Sequence, residues 1–185
     1  VHSVNIGSSG LIPEPQVYDN EAGSVFATSA ISNTVIALNG GSNDVTSVTK
    51  VGNNQCPNGA VFDPLNGDVY VSEECSKNLT VIDGGTGQVV ATIPSVPPGQ
   101  GLTYDPASNS VYVAANTGRP NATVVTVINA TTNTVNTYIP LFHAYWGATY
   151  DSINGDVYVT GSSSDNVTII NASLNQVVAN VPTPN

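Results

Sequence analysis

The chain holds two cysteines, Cys56 and Cys75, and they are its most specific chemical signal. A cysteine pair can help ligate a metal or close a disulfide. Zinc would need further ligands, and the chain has only 2 histidines to offer, so zinc is disfavoured. The separation of 19 residues suits a disulfide worth about 3 kcal/mol in the chain-entropy model, with two free thiols as the alternative. A bridge would place the protein in an oxidising compartment.

Catalytic constellations are sparse. His143 lies in the stretch Phe142-His143-Ala144-Tyr145-Trp146, with no nucleophile or base at a recognisable spacing. Phe142, His143, Tyr145 and Trp146 therefore read as a candidate ligand or subunit-contact loop, packing between sheets being the commoner fate of such aromatics. Glu73-Glu74, the one adjacent acid pair, is expected to be solvated. Asp19, Asp63, Asp105 and Asp151 recur along the chain, and a ring of carboxylates can hold calcium. Aspartate before proline, or in an Asn-Gly turn, is more often a cap for the backbone. The expectation is no cofactor, no metal and no enzymatic activity. Five Asn-x-Ser/Thr sequons, at Asn78, Asn121, Asn129, Asn166 and Asn171, could carry N-linked glycans, although asparagine is also simply a good turn residue.

The elements that must position these residues form a repeat. Gly59 to Pro94 reads as four short strands, at Gly59–Phe62, Asp68–Glu73, Leu79–Asp83 and Gln88–Pro94. Their Val, Ile, Tyr and Thr runs are separated by Asp-Pro-Leu-Asn-Gly, Ser-Lys-Asn and Gly-Gly-Thr-Gly turns. An aromatic-Asp pair closes the first strand of each copy: Tyr18-Asp19, Phe62-Asp63, Tyr104-Asp105 and Tyr150-Asp151, with aspartates 44, 42 and 46 residues apart. Seven residues after each aspartate stands another aromatic, Phe26, Tyr70, Tyr112 or Tyr158. Four equal offsets fix the register. The third copy carries an insertion around Asn116–Pro120. A period in the forties with four strands per copy predicts an all-β fold, a β-propeller-like array of four four-stranded antiparallel blades. The expected blades, in one repeat domain, span approximately 17–51, 59–94, 101–140 and 147–182, after a linker over 8–16.

Val1 to Gly7 has the pattern of a fourth strand with no blade before it. Val1, Val4 and Ile6 are candidates for an extra strand that pairs with a second subunit, or that completes the last blade of its own chain. In a blade array the second-to-third-strand loops and the loops between blades share one end. Cys56 and Cys75 both fall on that end, which supports the bridge.

The sequence resembles the YVTN-repeat β-propellers of archaeal and bacterial surface-layer proteins. The resemblance rests on Val69-Tyr70-Val71, Val111-Tyr112-Val113 and Val157-Tyr158-Val159-Thr160. Asp63-Pro64, Asp105-Pro106, Val81-Ile82-Asp83 and the run Val89 to Pro94 match as well. It is weaker in the first repeat, where Phe26-Ala27 replaces Tyr-Val. Family rings commonly close with about seven blades, more than this chain supplies. The resemblance implies an extracellular structural or adhesive glycoprotein of a microbial, archaeal surface, a layer or filament subunit that self-associates by strand pairing. Two alternatives stand beside it: a ligand-binding or enzymatic propeller with a small molecule or metal in its channel, and a fragment of a larger surface protein.

Composition sets the outer bounds. With 3 Lys and Arg against 13 Asp and Glu, the net charge of −10 disfavours nucleic acid. Hydroxyls and amides, rather than charges, meet the water. No apolar run approaches the roughly 18 residues of a membrane-spanning helix.

Overall fold

In a computed structural model, residues 13–116, 123–141, 146–161 and 165–183 are described. They form four antiparallel sheets of four strands each, every sheet a simple meander. Blade 1 holds β1 (Pro13–Asp19), β2 (Ser24–Ser29), β3 (Thr34–Asn39) and β4 (Val45–Lys50). Blade 2 holds β5 (Pro57–Asp63), β6 (Asp68–Glu73), β7 (Asn78–Asp83) and β8 (Val89–Pro94). Blade 3 holds β9 (Gly99–Asp105), β10 (Ser110–Asn116), β11 (Thr123–Asn129) and β12 (Thr134–Leu141). Blade 4 holds β13 (Gly147–Asp151), β14 (Asp156–Thr160), β15 (Asn166–Asn171) and β16 (Gln176–Pro182). The all-β expectation is met, and β6 has the bounds read from the sequence.

Turn chemistry sets the strand ends. The first turn of each blade closes on a left-handed residue, Gly23, Gly67, Asn109 or Gly155, and the last on Asn43, Gly87, Asn133 or Asn175. Glycine and asparagine are the residues that tolerate that backbone. The recurrent aspartates cap the first turns. Asp19 Oδ1 accepts from Glu21 N and Ala22 N, Asp63 Oδ1 from Leu65 N, Asp105 Oδ1 from Ala107 N, and Asp151 Oδ1 from Ile153 N. Among the described residues no group of three or more His, Cys, Asp or Glu gathers to hold a metal.

The core lies between the blades. Phe26, Val35 and Ala37 of blade 1 meet Val69, Val71 and Ile82 of blade 2. Tyr70, Leu79 and Val81 meet Val111, Val113 and Ile128 of blade 3. Tyr112, Val125 and Val127 meet Val157, Val159 and Ile170 of blade 4. The even and odd residues of one strand thus serve two different junctions, as the period of 2 in a strand requires. The first strands β1, β5, β9 and β13 touch in that order, and among the described residues no comparable contact joins blade 4 to blade 1. Over the described residues, the four blades form an open arc. Where first strands converge, only glycine fits. A Cβ on Gly59 would lie 2.5 Å from the Gln100 carbonyl oxygen of blade 3, and one on Gly101 2.7 Å from Ala148 N of blade 4.

The structure differs from the expected boundaries at the start of blade 1. β1 begins at Pro13, inside the stretch read as linker, and pairs with β2 through an irregular register between Pro13 and Gln16. Val1, Val4 and Ile6 lie outside the described residues, as does the insertion beyond Asn116.

Candidate functional site

The disulfide joins Cys56 to Cys75, with a Cα–Cα distance of 5.3 Å. It clips the segment entering blade 2 to the loop between β6 and β7. Backbone bonds bring the two chain segments together there: Glu74 N donates to the Cys56 carbonyl at 2.9 Å and Cys75 N to that of Gln55 at 3.1 Å. Asn33 of blade 1 accepts from Gln55 N and Cys56 N, so the bridge is also tied to the preceding blade.

Glu73, expected in solvent, is 1% exposed. Its side chain shares the face of β6 that packs on blade 1, and its carboxylate accepts hydrogen bonds from the hydroxyls of Ser76 and Thr80. A buried carboxylate needs such donors, and the neighbouring Ser and Thr supply them. Glu74 is exposed and accepts from Asn58 Nδ2 at 3.2 Å. Thr28 Oγ1 of blade 1 donates to the Asn58 carbonyl at 2.6 Å, adding a further tie between blades.

Tyrosines lock the later junctions. The Tyr70 hydroxyl donates to Asn133 Oδ1 of blade 3 at 2.7 Å and lies 3.2 Å from the Ala130 carbonyl oxygen. One blade on, the Tyr112 hydroxyl repeats the contact with Asn175 Oδ1 at 2.8 Å and the Ala172 carbonyl at 3.2 Å. Burial pushes both phenols above their ordinary range, with the carboxylates of Asp63 and Asp105 adding to it. The junction of blades 1 and 2 has Phe26 in place of tyrosine and Gly87 in place of asparagine. At Gly87 a Cβ would lie 2.6 Å from Ser47 Oγ, so no larger residue fits, and Thr49 Oγ1 donates to its carbonyl instead. Hydroxyl and acceptor are exchanged together. Sequence reasoning found the aromatics but missed this pairing, for which the signal was the constant 63-residue step from Tyr70 to Asn133 and from Tyr112 to Asn175.

Blade 4 carries the same row, with no further blade packed on it among the described residues. Tyr158 and Ile169, the counterparts of buried Tyr70 and Val81, are half-buried. Val181 is 46% exposed where its counterparts Ile93 and Ile139 are 2% and 4%. In blade 2, Asn66 Nδ2 reaches across to the Ala130 carbonyl at 3.0 Å. Its counterpart Asn154 donates instead to the Tyr158 hydroxyl of its own blade, at 2.8 Å.

Asn78 and Asn166 open β7 and β15, and Asn129 and Asn171 close β11 and β15, all at strand ends. Asn129 Oδ1 accepts from Thr131 N and Thr132 N, and Asn171 Oδ1 from Leu174 N, so both shape turns. Asn121, Phe142, His143 and Tyr145 lie outside the described residues. Trp146 is half exposed at the entry to blade 4, its backbone N–H donating to the Thr160 carbonyl.

No protein-family model matches the chain, and no curated protein matches it. Among solved structures, hydrazine synthase from Kuenenia stuttgartiensis superposes on 97% of this chain and 53% of its own, with a TM-score of 0.82 at 16% identity. The dihydro-heme d1 dehydrogenase NirN covers 92% of this chain and 38% of its own, at a TM-score of 0.73 and 10% identity. A chain of the nidogen/laminin complex covers 93% and 64%, at 0.66 and 16%. All three are β-propeller proteins. The fold is that of a β-propeller. The chain spans about half the length of the hydrazine synthase chain it matches.

The expectation of no enzymatic activity is corrected by these similarities. Hydrazine synthase and NirN are enzyme-related propellers, so this architecture does not exclude catalysis. At such low identity the likeness shows the fold and leaves this chain's own activity open to test.

Proposed function

We propose that the chain is an extracellular surface propeller of the YVTN-repeat type, structural or adhesive in role, glycosylated and self-associating. The observation that carries this reading is the Cys56–Cys75 disulfide in a chain only 9% charged. Disulfides persist where the medium is oxidising, and a surface hydrated by Ser, Thr and Asn suits an external protein better than one hydrated by lysine. The nidogen/laminin likeness supports the same reading at the level of fold. Intact and peptide mass spectrometry of material from its native source tests it. A closed bridge with glycan-sized increments at Asn78, Asn121, Asn129, Asn166 or Asn171 is expected; reduced, unmodified chains would overturn the reading.

A second reading, a ligand-binding or catalytic propeller, is favoured by the hydrazine synthase and NirN similarities. Native mass spectrometry that retains a small molecule or metal at stoichiometric occupancy would favour it; a ligand-free mass would count against it.

A further inference from the structure

The two ends of the arc are complementary in a way that the internal junctions define. A tyrosine at the lock position is followed by asparagine in the last turn of the next blade, and a phenylalanine by glycine. Blade 4 ends in the tyrosine form, with Tyr158. Blade 1 begins in the asparagine form. Asn43 has the left-handed backbone of Asn133 and Asn175, with φ of 62° against 54° and 52°. Gly40 stands where Ala130 and Ala172 stand, its N–H donating to the Gly23 carbonyl as theirs do to the Asn109 and Gly155 carbonyls. Ala130 and Ala172 are buried under the preceding blade, whereas Gly40 and Asn43 are exposed. Tyr18 on the same face is 59% exposed where its counterpart Phe62 is 7%.

We infer that blade 4 of one copy docks on blade 1 of a second copy, the Tyr158 hydroxyl donating to Asn43 Oδ1 beside the Gly40 carbonyl. The occupant is this chain itself, because blade 1 offers the acceptor that the tyrosine form requires and, among the described residues, Gly40 and Asn43 stay exposed. Asn154 then leaves the Tyr158 hydroxyl and turns to the Gly40 carbonyl, as Asn66 turns to Ala130. The contact occupies the half of blade 1 next to its last turn, since Ala27 and Ile36 further along the face are already buried. Reciprocal docking closes a two-fold ring, and docking in one direction continues a chain of arcs; both use the same joint.

The inference gives a specific joint to the self-association in the proposed function and rests on that part of it. Its test is sedimentation of the 185-residue chain over a wide concentration range, beside Tyr158→Phe, Asn43→Gly and the double variant. Both substitutions are ones the repeat already uses, at Phe26 and Gly87, and glycine accepts the left-handed backbone of residue 43. The expected result is concentration-dependent association, weakened about fivefold to tenfold by either variant and no further by the double one, since both remove the same hydrogen bond. Far-UV dichroism and thermal melting of the monomer should be unchanged. A wild-type chain that stays monomeric, or one whose association ignores both substitutions, overturns the inference. A disulfide-bonded, glycosylated chain that is monomeric would overturn this joint and leave the surface location standing.

Discussion

Blade 2 turns Tyr70, Leu79 and Val81 toward blade 3, and blade 4 turns Tyr158, Val167 and Ile169 away from the arc. The two rows share register, residue class and strand geometry. The first is fully buried and the second half-buried. Closely similar local sequence therefore produces a core in one place and a partly exposed face in the other. The difference lies in the neighbour: blade 3 fills the space beside blade 2 and accepts its hydroxyl, whereas the hydroxyl of Tyr158 turns back on Asn154.

This contrast can be broken most strongly through the aliphatic pair. Leu79→Ala should cost about 2–5 kcal/mol of unfolding free energy, because it leaves a cavity between blades. Val167→Ala at the matching position of blade 4 should cost less than about 1 kcal/mol, since solvent already reaches the site. Urea unfolding of the two variants measures the gap, and equal losses would mean that blade 4 is covered in solution. Next in size is the disulfide, for which blade 4 has no counterpart. Replacing Cys56 and Cys75 by serine should destabilise the protein by about 3 kcal/mol, read in the same unfolding curves with and without reductant.

The tyrosine locks give a smaller and more specific test. Tyr112→Phe removes a buried donor to Asn175 and should cost about 1 kcal/mol, while Tyr158→Phe in the monomer should stay within about 0.5 kcal/mol. Calorimetry at low protein concentration separates the two.

The smallest effect concerns paired carboxylates. Asp68 faces Asp83 across blade 2, and burial together with the charges of Asp83 and Asp63 raises its pKa. In blade 4 the equivalent pair is Asp156 and Asn171, joined by a hydrogen bond of 3.1 Å. Because the folded state holds Asp68 above its unfolded value, it is penalised at neutral pH and relieved as the pH falls through that raised pKa. Asp68→Asn should therefore stabilise the protein by about 0.5 kcal/mol at neutral pH, with the gain vanishing in acid. Melting temperatures across that pH range would show it, and a gain that persisted in acid would point to packing rather than charge.

The sequence by itself determined the strands, their turns and their register. These depend on residues close in the chain: β-branched runs that prefer extended backbone, Asp caps that fold back within three residues, and Gly or Asn where the backbone must be left-handed. The cysteine pairing was legible for the same reason, since meander topology alone puts Cys56 and Cys75 on one end. Glu73 was not legible, because its burial depends on blade 1 lying against β6 and on Thr80 and Ser76 pointing their hydroxyls at it. Nor was the open arc, because Tyr70 and Tyr158 carry the same local signal. Only the tertiary structure decided which apolar row became core, since burial is fixed by what packs on a face, and one strand's own sequence does not contain its neighbour.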